Sequence, residues 1–232
     1  MSSSVLSIQD ALATGSLEAL RVSLASKEYD PDEWVSDGFE WFTPLSMSAQ
    51  IENFDFLMSL LEAGANPLAL DEKGTTALSW APDQVWTSFL VEHGARVFAE
   101  KPEDGMTSVH RAAASGNGVQ LNALLEVDGR IAFKVYNDAG WTPLGVAAHN
   151  GHCGIVSRLL AAGHPVDDSD SEWASLSPLQ LALTGGHEEV ARLLLDAGAD
   201  PGHHLGLTSP PYQLALESGI AESLGNHFLP QR

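Results

Sequence analysis

The sequence predicts an all-α solenoid, built from short helix-turn-helix units stacked one on the next and joined by hairpin-like loops. Two observations carry this reading. Residues 142–166 read TPLGVAAHNGHCGIVSRLLAAGHPV and residues 177–201 read SPLQLALTGGHEEVARLLLDAGADP, the same phrase returning 35 positions later in register. Pro143/Pro178, Leu144/Leu179, Ala147/Ala182, Gly151/Gly186, His152/His187, Leu159/Leu194 and Gly163/Gly198 coincide. Self-similarity at such a period marks supersecondary units that cannot bury their apolar faces alone and must stack. Within each copy, apolar residues also recur at helical spacing on both sides of a central glycine, which divides the phrase into two short helices.

The units follow in chain order. Residues 11–24, ALATGSLEALRVSL, fit the helix-Gly-helix middle of an opening cap over 5–37. A first full unit near 38–70 carries TPLSMSAQIENFDFLMSLLEAGANP at 43–67. The second, near 71–100, is degenerate: TTALSWAPDQVWTSFLVEHGARV brings its helices about three residues closer, with Pro82 where the first helix should end. Trp80 and Trp86 are expected to fill the volume this shortening removes. The third, near 101–136, carries TSVHRAAASGNGVQLNALLEVDGRI at 107–131. The fourth and fifth, near 137–171 and 172–204, are the two matching copies, and PYQLALESG at 211–219 opens a closing cap over 205–232.

Each recurring residue has a local reason. Thr142 can cap the first helix and Pro143 opens it, where its missing N–H costs nothing. Small alanines such as Ala147 and Ala148 let adjacent helices approach. Gly163 ends the second helix in the positive-φ conformation that glycine adopts cheaply.

On these motifs the chain resembles the ankyrin repeat family, over nearly its whole length as a single domain. The resemblance implies a non-catalytic protein whose partners are other proteins, bound on a concave face of finger tips and first helices. It also implies framework roles for several histidines: His110 bonding neighbouring backbone, and His152 and His187 in the inter-helix turns. His93 and His164, at the ends of second helices, are expected to meet the last carbonyls.

The chain has 232 residues, 31 acidic against 11 basic side chains and a formal net charge of −20. The acid is concentrated toward the ends, most densely in Glu28, Asp30, Asp32, Glu33, Asp37 and Glu40. Such a field repels nucleic acid and anionic membranes and speeds encounter with a basic partner. No apolar run approaches the ~18 residues of a membrane span. The N-terminus does not read as a secretory signal. The single cysteine, Cys153, suits a reducing compartment, so the expectation is a cytoplasmic monomer.

Chemistry finds no purchase in the motifs. The chain lacks GxSxG, a P-loop, HExxH and GxGxxG, so no catalytic residue, metal or cofactor is expected. Asp167, Asp168, Asp170 and Glu172 lack the central glycine and closing glutamate of a calcium loop, and His203–His204 has no spaced partner for zinc.

Register against the Thr-Pro anchors, read through the resemblance, places Phe42, Glu72, Glu103, Asp104, Met106, Asp138, Trp141 and Trp173 on fingers and His149 on a first helix. Large apolar groups among carboxylates are the composition of a binding hot spot. Phe39 and Trp173 are the aromatics expected to fold back onto the next repeat. The long segment 25–42, with Trp34 and Trp41, is expected to form an extended arm. The function expected is capture, in one form neutralisation, of a basic protein such as a toxin; the alternative is a general scaffold whose acidity serves solubility.

Overall fold

A hydroxyl side chain followed by proline opens three of the first helices, and the structure shows how. In the computed structural model, which describes residues 6–96, 104–128, 135–168, 176–202 and 209–225, Thr43, Thr142 and Ser177 accept the amides of Ser46, Gly145 and Gln180. Pro44, Pro143 and Pro178 begin the helices behind them. The chain divides into two compact units, Met1–Glu103 and Asp104–Arg232.

In the first unit, α1 (Ile8–Thr14) and α2 (Leu17–Ser26) are the opening pair, separated by Gly15 at φ 65°. α3 (Pro44–Gln50) and α4 (Phe54–Glu62) form the next pair. Helix α1 packs on α3, and α2 on α4. Leu20, Leu57 and Leu60 are fully buried between them. The degenerate unit replaces its first helix with a single 3-10 turn, Ala77–Trp80, before α5 (Gln84–Glu92). Pro82 removes a donor where the turn would continue, and Asp83 instead caps α5 by accepting the Trp86 amide. The two tryptophans supply the missing volume: Trp80 meets Phe42 edge-on at 5.8 Å, and Trp86 meets Phe54 at 5.0 Å.

Of the segment 25–42, expected as an extended arm, residues 35–42 fold as a hairpin. β1 (Val35–Ser36) pairs antiparallel with β2 (Trp41–Phe42), Val35 opposite Phe42. The Gln9 side chain reaches from α1 to both polar groups of Ser36, accepting its amide at 2.7 Å and donating to its carbonyl at 2.6 Å. On the other flank, Trp41 donates to the Glu72 carboxylate and accepts the Glu72 amide.

The second unit is two layers deep. α6 (Ser108–Ser115), α8 (Pro143–His149), α10 (Pro178–Thr184) and α12 (Pro211–Glu217) pack successively in one layer. α7 (Gly118–Asp128), α9 (Cys153–Ala161) and α11 (Glu188–Asp196) pack in the other. Small residues at the first-helix contacts, Ala112, Ala147 and Ala182, are completely buried. His152 and His187 stitch consecutive turns: their Nε2 atoms lie 2.9 Å from the carbonyl oxygens of Ala114 and His149, 38 residues earlier in each case. A Cβ on Gly151 would sit 2.5 Å from the His187 ring, so this turn needs glycine for space as well as for φ. Among the described residues no helix is long and apolar enough to cross a membrane.

Candidate partner-binding face

The fingers of the second unit are set by short side chains folded onto their own backbone. Asn137 Oδ1 accepts the amides of Ala139 and Trp141, and its own amide donates to the Trp141 carbonyl at 3.0 Å. Asp104 Oδ1 does the same for Met106 at 2.9 Å. These are self-bonded turns of the kind Asx residues favour. The two fingers are joined directly, the Asp138 amide donating to the Asp104 carbonyl at 3.2 Å. Gly105 makes that approach feasible: at φ 66°, a Cβ there would lie 2.6 Å from the Asp138 nitrogen.

His110 fixes the base of the fourth finger. Its Nδ1 accepts the Thr107 amide, so Nε2 carries the proton and donates to the Trp141 carbonyl at 3.0 Å. Burial, above all, pushes its pKa down to about 4, which keeps the ring neutral. In the fifth unit Gln180 takes the same part, accepting the Ser177 amide and donating to the Ser209 carbonyl.

Above this framework Trp141 is half-exposed, its ring 4.8 Å from that of exposed His149. Asp138 and Asp104 are exposed, and Met106 is half-buried with its sulfur 3.4 Å from Asn137 Nδ2. Arg111 lies 3.4 Å from the Asp104 carboxylate, leaving Asp138 as the carboxylate of this pair without an ionic partner among the described residues. The structure therefore presents Asp104, Asp138, Trp141 and His149 on adjoining elements of one unit. Glu103 and Trp173 lie outside the described residues, as do Asp170, Glu172 and the His203–His204 pair.

In the first unit the register behaves differently. Glu72 is exposed, though its carboxylate is held by the Trp41 amide. Phe42, expected to project, is 1% exposed: its ring is core, closed over by Trp80. Phe39, expected to fold back, is 93% exposed at the hairpin tip. The tip is nonetheless firmly made. Asp37 Oδ1 accepts the amides of Glu40 and Phe39, which hold its carboxyl below the usual carboxylate range. Lys73 reaches Glu40 at 2.7 Å.

One minor expectation is also revised. His93 does meet a helix carbonyl, that of Phe89 at 2.8 Å, but buried His164 turns to the adjacent Pro165 carbonyl. Asp167 and Asp168 are committed to structure, accepting the Asp200 amide and the Tyr136 hydroxyl. Gln180 as a stand-in for His110 was readable only from its position three residues past the Ser-Pro anchor.

Comparison with known proteins agrees with this architecture. Residues 120–204 match the family model for ankyrin repeats in three copies. The crystal structure of the human ASB11 ankyrin repeat domain superposes with a TM-score of 0.76 at 24% identity, covering 97% of this chain and 99% of that one. The ankyrin repeat domain of Bcl-3 gives 0.77 at 23% identity, over 95% and 98%. Among curated relatives, the ankyrin repeat protein nuc-2 of Neurospora crassa is 27% identical over 73% of this chain, and mouse Rabankyrin-5 is 30% identical over 68%. The chain spans only 16% and 14% of those proteins' lengths. Ankyrin repeats generally mediate protein–protein interaction and are generally non-catalytic. With its anchored first helices, glycine turns and histidine stitches, the chain belongs to the ankyrin repeat family.

Proposed function

We propose that this chain is a non-catalytic binding module that takes a basic protein against the finger side of its second unit. The observation that carries the reading is the half-exposed Trp141 ring packed at a tilt against His149, beside the exposed Asp138 carboxylate of the same finger. A tryptophan whose backbone is already fixed contributes contact area at little further entropic cost, and a carboxylate beside it favours a lysine or arginine on the partner. The charge of −20 draws a cationic partner in and discriminates against acidic ones. Neutralisation of a basic protein such as a toxin is the narrower form: an acidic chain seated on a cationic working surface excludes its substrate.

Affinity capture from the native source, at low and high salt, tests this with Trp141→Ala and Asp138→Lys beside the wild type. The captured protein is then identified and its affinity measured. A basic protein whose Kd weakens at least about tenfold on Trp141→Ala, and weakens further with salt, supports the reading. An affinity indifferent to salt and to both substitutions moves the contact elsewhere and leaves a scaffold whose acidity serves solubility. Titrating the chain into an assay of the identified partner's own activity decides the neutralising form.

A further inference from the structure

Beside the hairpin of the first unit lies an apolar groove of about 490 Å³. Leu12 of α1 and Met47 of α3 line it with Val35 of the hairpin, and Ile51, 46% exposed, stands at the end of α3. Gln9 and Asp37 supply its polar lining. The volume lies within the range of small binding pockets and admits one or two large apolar side chains. Two residues on from Asp37, the Phe39 ring stands almost wholly in solvent on a turn that Asp37, Gln9 and Lys73 hold in place. Trp34 and Trp41 are each about half-exposed nearby in the chain. Residues 25–42 carry six carboxylates against one lysine, Lys27.

We infer that this groove and the Phe39 tip form a second docking surface, for a basic peptide segment of a partner protein carrying a large apolar side chain. The apolar residue enters between Ile51 and Val35, and flanking lysines or arginines meet Asp37 and the acidic run of the arm. Charge selects this occupant over a second copy of the chain, because each copy brings the same six carboxylates to the contact. Anchoring is efficient because the tip is ordered before binding, so a partner orders little backbone. The surface is built wholly from residues of the first unit and shares none with the Trp141 face.

The test is selection of a random sixteen-residue peptide library, displayed on phage, against the intact chain. The inference expects enriched peptides with a large apolar residue flanked by lysine or arginine. Their Kd should weaken at least about tenfold on Phe39→Ala and on Ile51→Asp and should rise with salt. Phe39→Ala removes a ring that packs on almost nothing, so its melting temperature should match the wild type and loss of binding cannot be misfolding. The Trp141→Ala chain should keep these peptides. Enrichment of acidic or neutral sequences, no enrichment, or binding that survives Phe39→Ala overturns the inference. Binding lost on Trp141→Ala instead also overturns it, while leaving the finger-face reading standing. A chain that dimerises through Phe39, seen as a mass halved by Phe39→Ala in light scattering, overturns it in favour of self-association.

Discussion

His110 donates from Nε2 to the carbonyl oxygen of Trp141, 31 residues along the chain, at 3.0 Å, while its Nδ1 receives the Thr107 amide. One neutral imidazole thus bridges the start of its own helix and the base of the next finger. Its pKa falls from 6.5 unfolded to about 4 folded, chiefly through burial. Between those values the unfolded chain binds the extra proton, so stability rises with pH across the window and is lost as pH falls from 6.5 toward 4. The effect is on the order of 3 kcal/mol across the window. His110→Gln should keep near-native stability at pH 7.5, as Gln180 does in the fifth unit, and flatten this slope. His110→Ala should cost about 1–3 kcal/mol by stranding the buried Thr107 amide and leaving the Trp141 carbonyl with the Asn137 amide alone. Urea unfolding at pH 5 and 7.5 reads both, and an unchanged slope in His110→Gln would refute the assignment.

Gly105 should tolerate no side chain. Gly105→Ala combines a positive φ with a Cβ set 2.6 Å from the Asp138 nitrogen, and should cost at least about 1 kcal/mol. Loss of the Asp138–Asp104 hydrogen bond should show as faster exchange of the Asp138 amide. A neutral effect would mean that the fingers move apart freely.

The degenerate repeat near 71–100, within the first unit, should be locally weak. Residues 75–96 offer a four-residue 3-10 turn where the other full units have an α-helix. Amide exchange there should outpace that in α8 and α9. Trp86→Ala should cost about 3–5 kcal/mol, since the ring is 7% exposed and packs on Phe54. Uniform protection would mean that the two tryptophans compensate fully.

Cys153 should be a sluggish thiol. Burial first, and Glu189 second, push its pKa up. Alkylation at pH 7.5 should therefore be slower than for an unstructured cysteine peptide, and Glu189→Gln should speed it. Faster alkylation than the peptide would contradict the geometry.

Most of the framework could be read from the residues. Thr142, Pro143, Gly151 and Gly163 each have one local task, and repetition at 35 residues made the reading redundant. The two ends of the first finger were exchanged, Phe42 turning inward and Phe39 outward. Direction there depends on a two-residue strand, whose register shifts face with every position. It also depends on Trp80, which meets Phe42 edge-on from the 3-10 turn of the following repeat. In the second unit the same pre-anchor position holds Trp141, half-exposed, with His110 on its carbonyl. The surface of a repeat thus depends on its neighbour as much as on its own sequence.

The Gln9 clamp has a consequence for solubility. A two-stranded ribbon beside exposed Phe39, Trp34 and Trp41 would ordinarily be a template for strand addition from another chain. Here Ser36 has both polar groups occupied by the Gln9 amide, and Trp41 has both occupied by Glu72. Neither margin of the ribbon offers a free ladder. The aromatic arm can therefore stand in water without seeding cross-β growth, and a Gln9→Ala chain would expose the first of those margins to it.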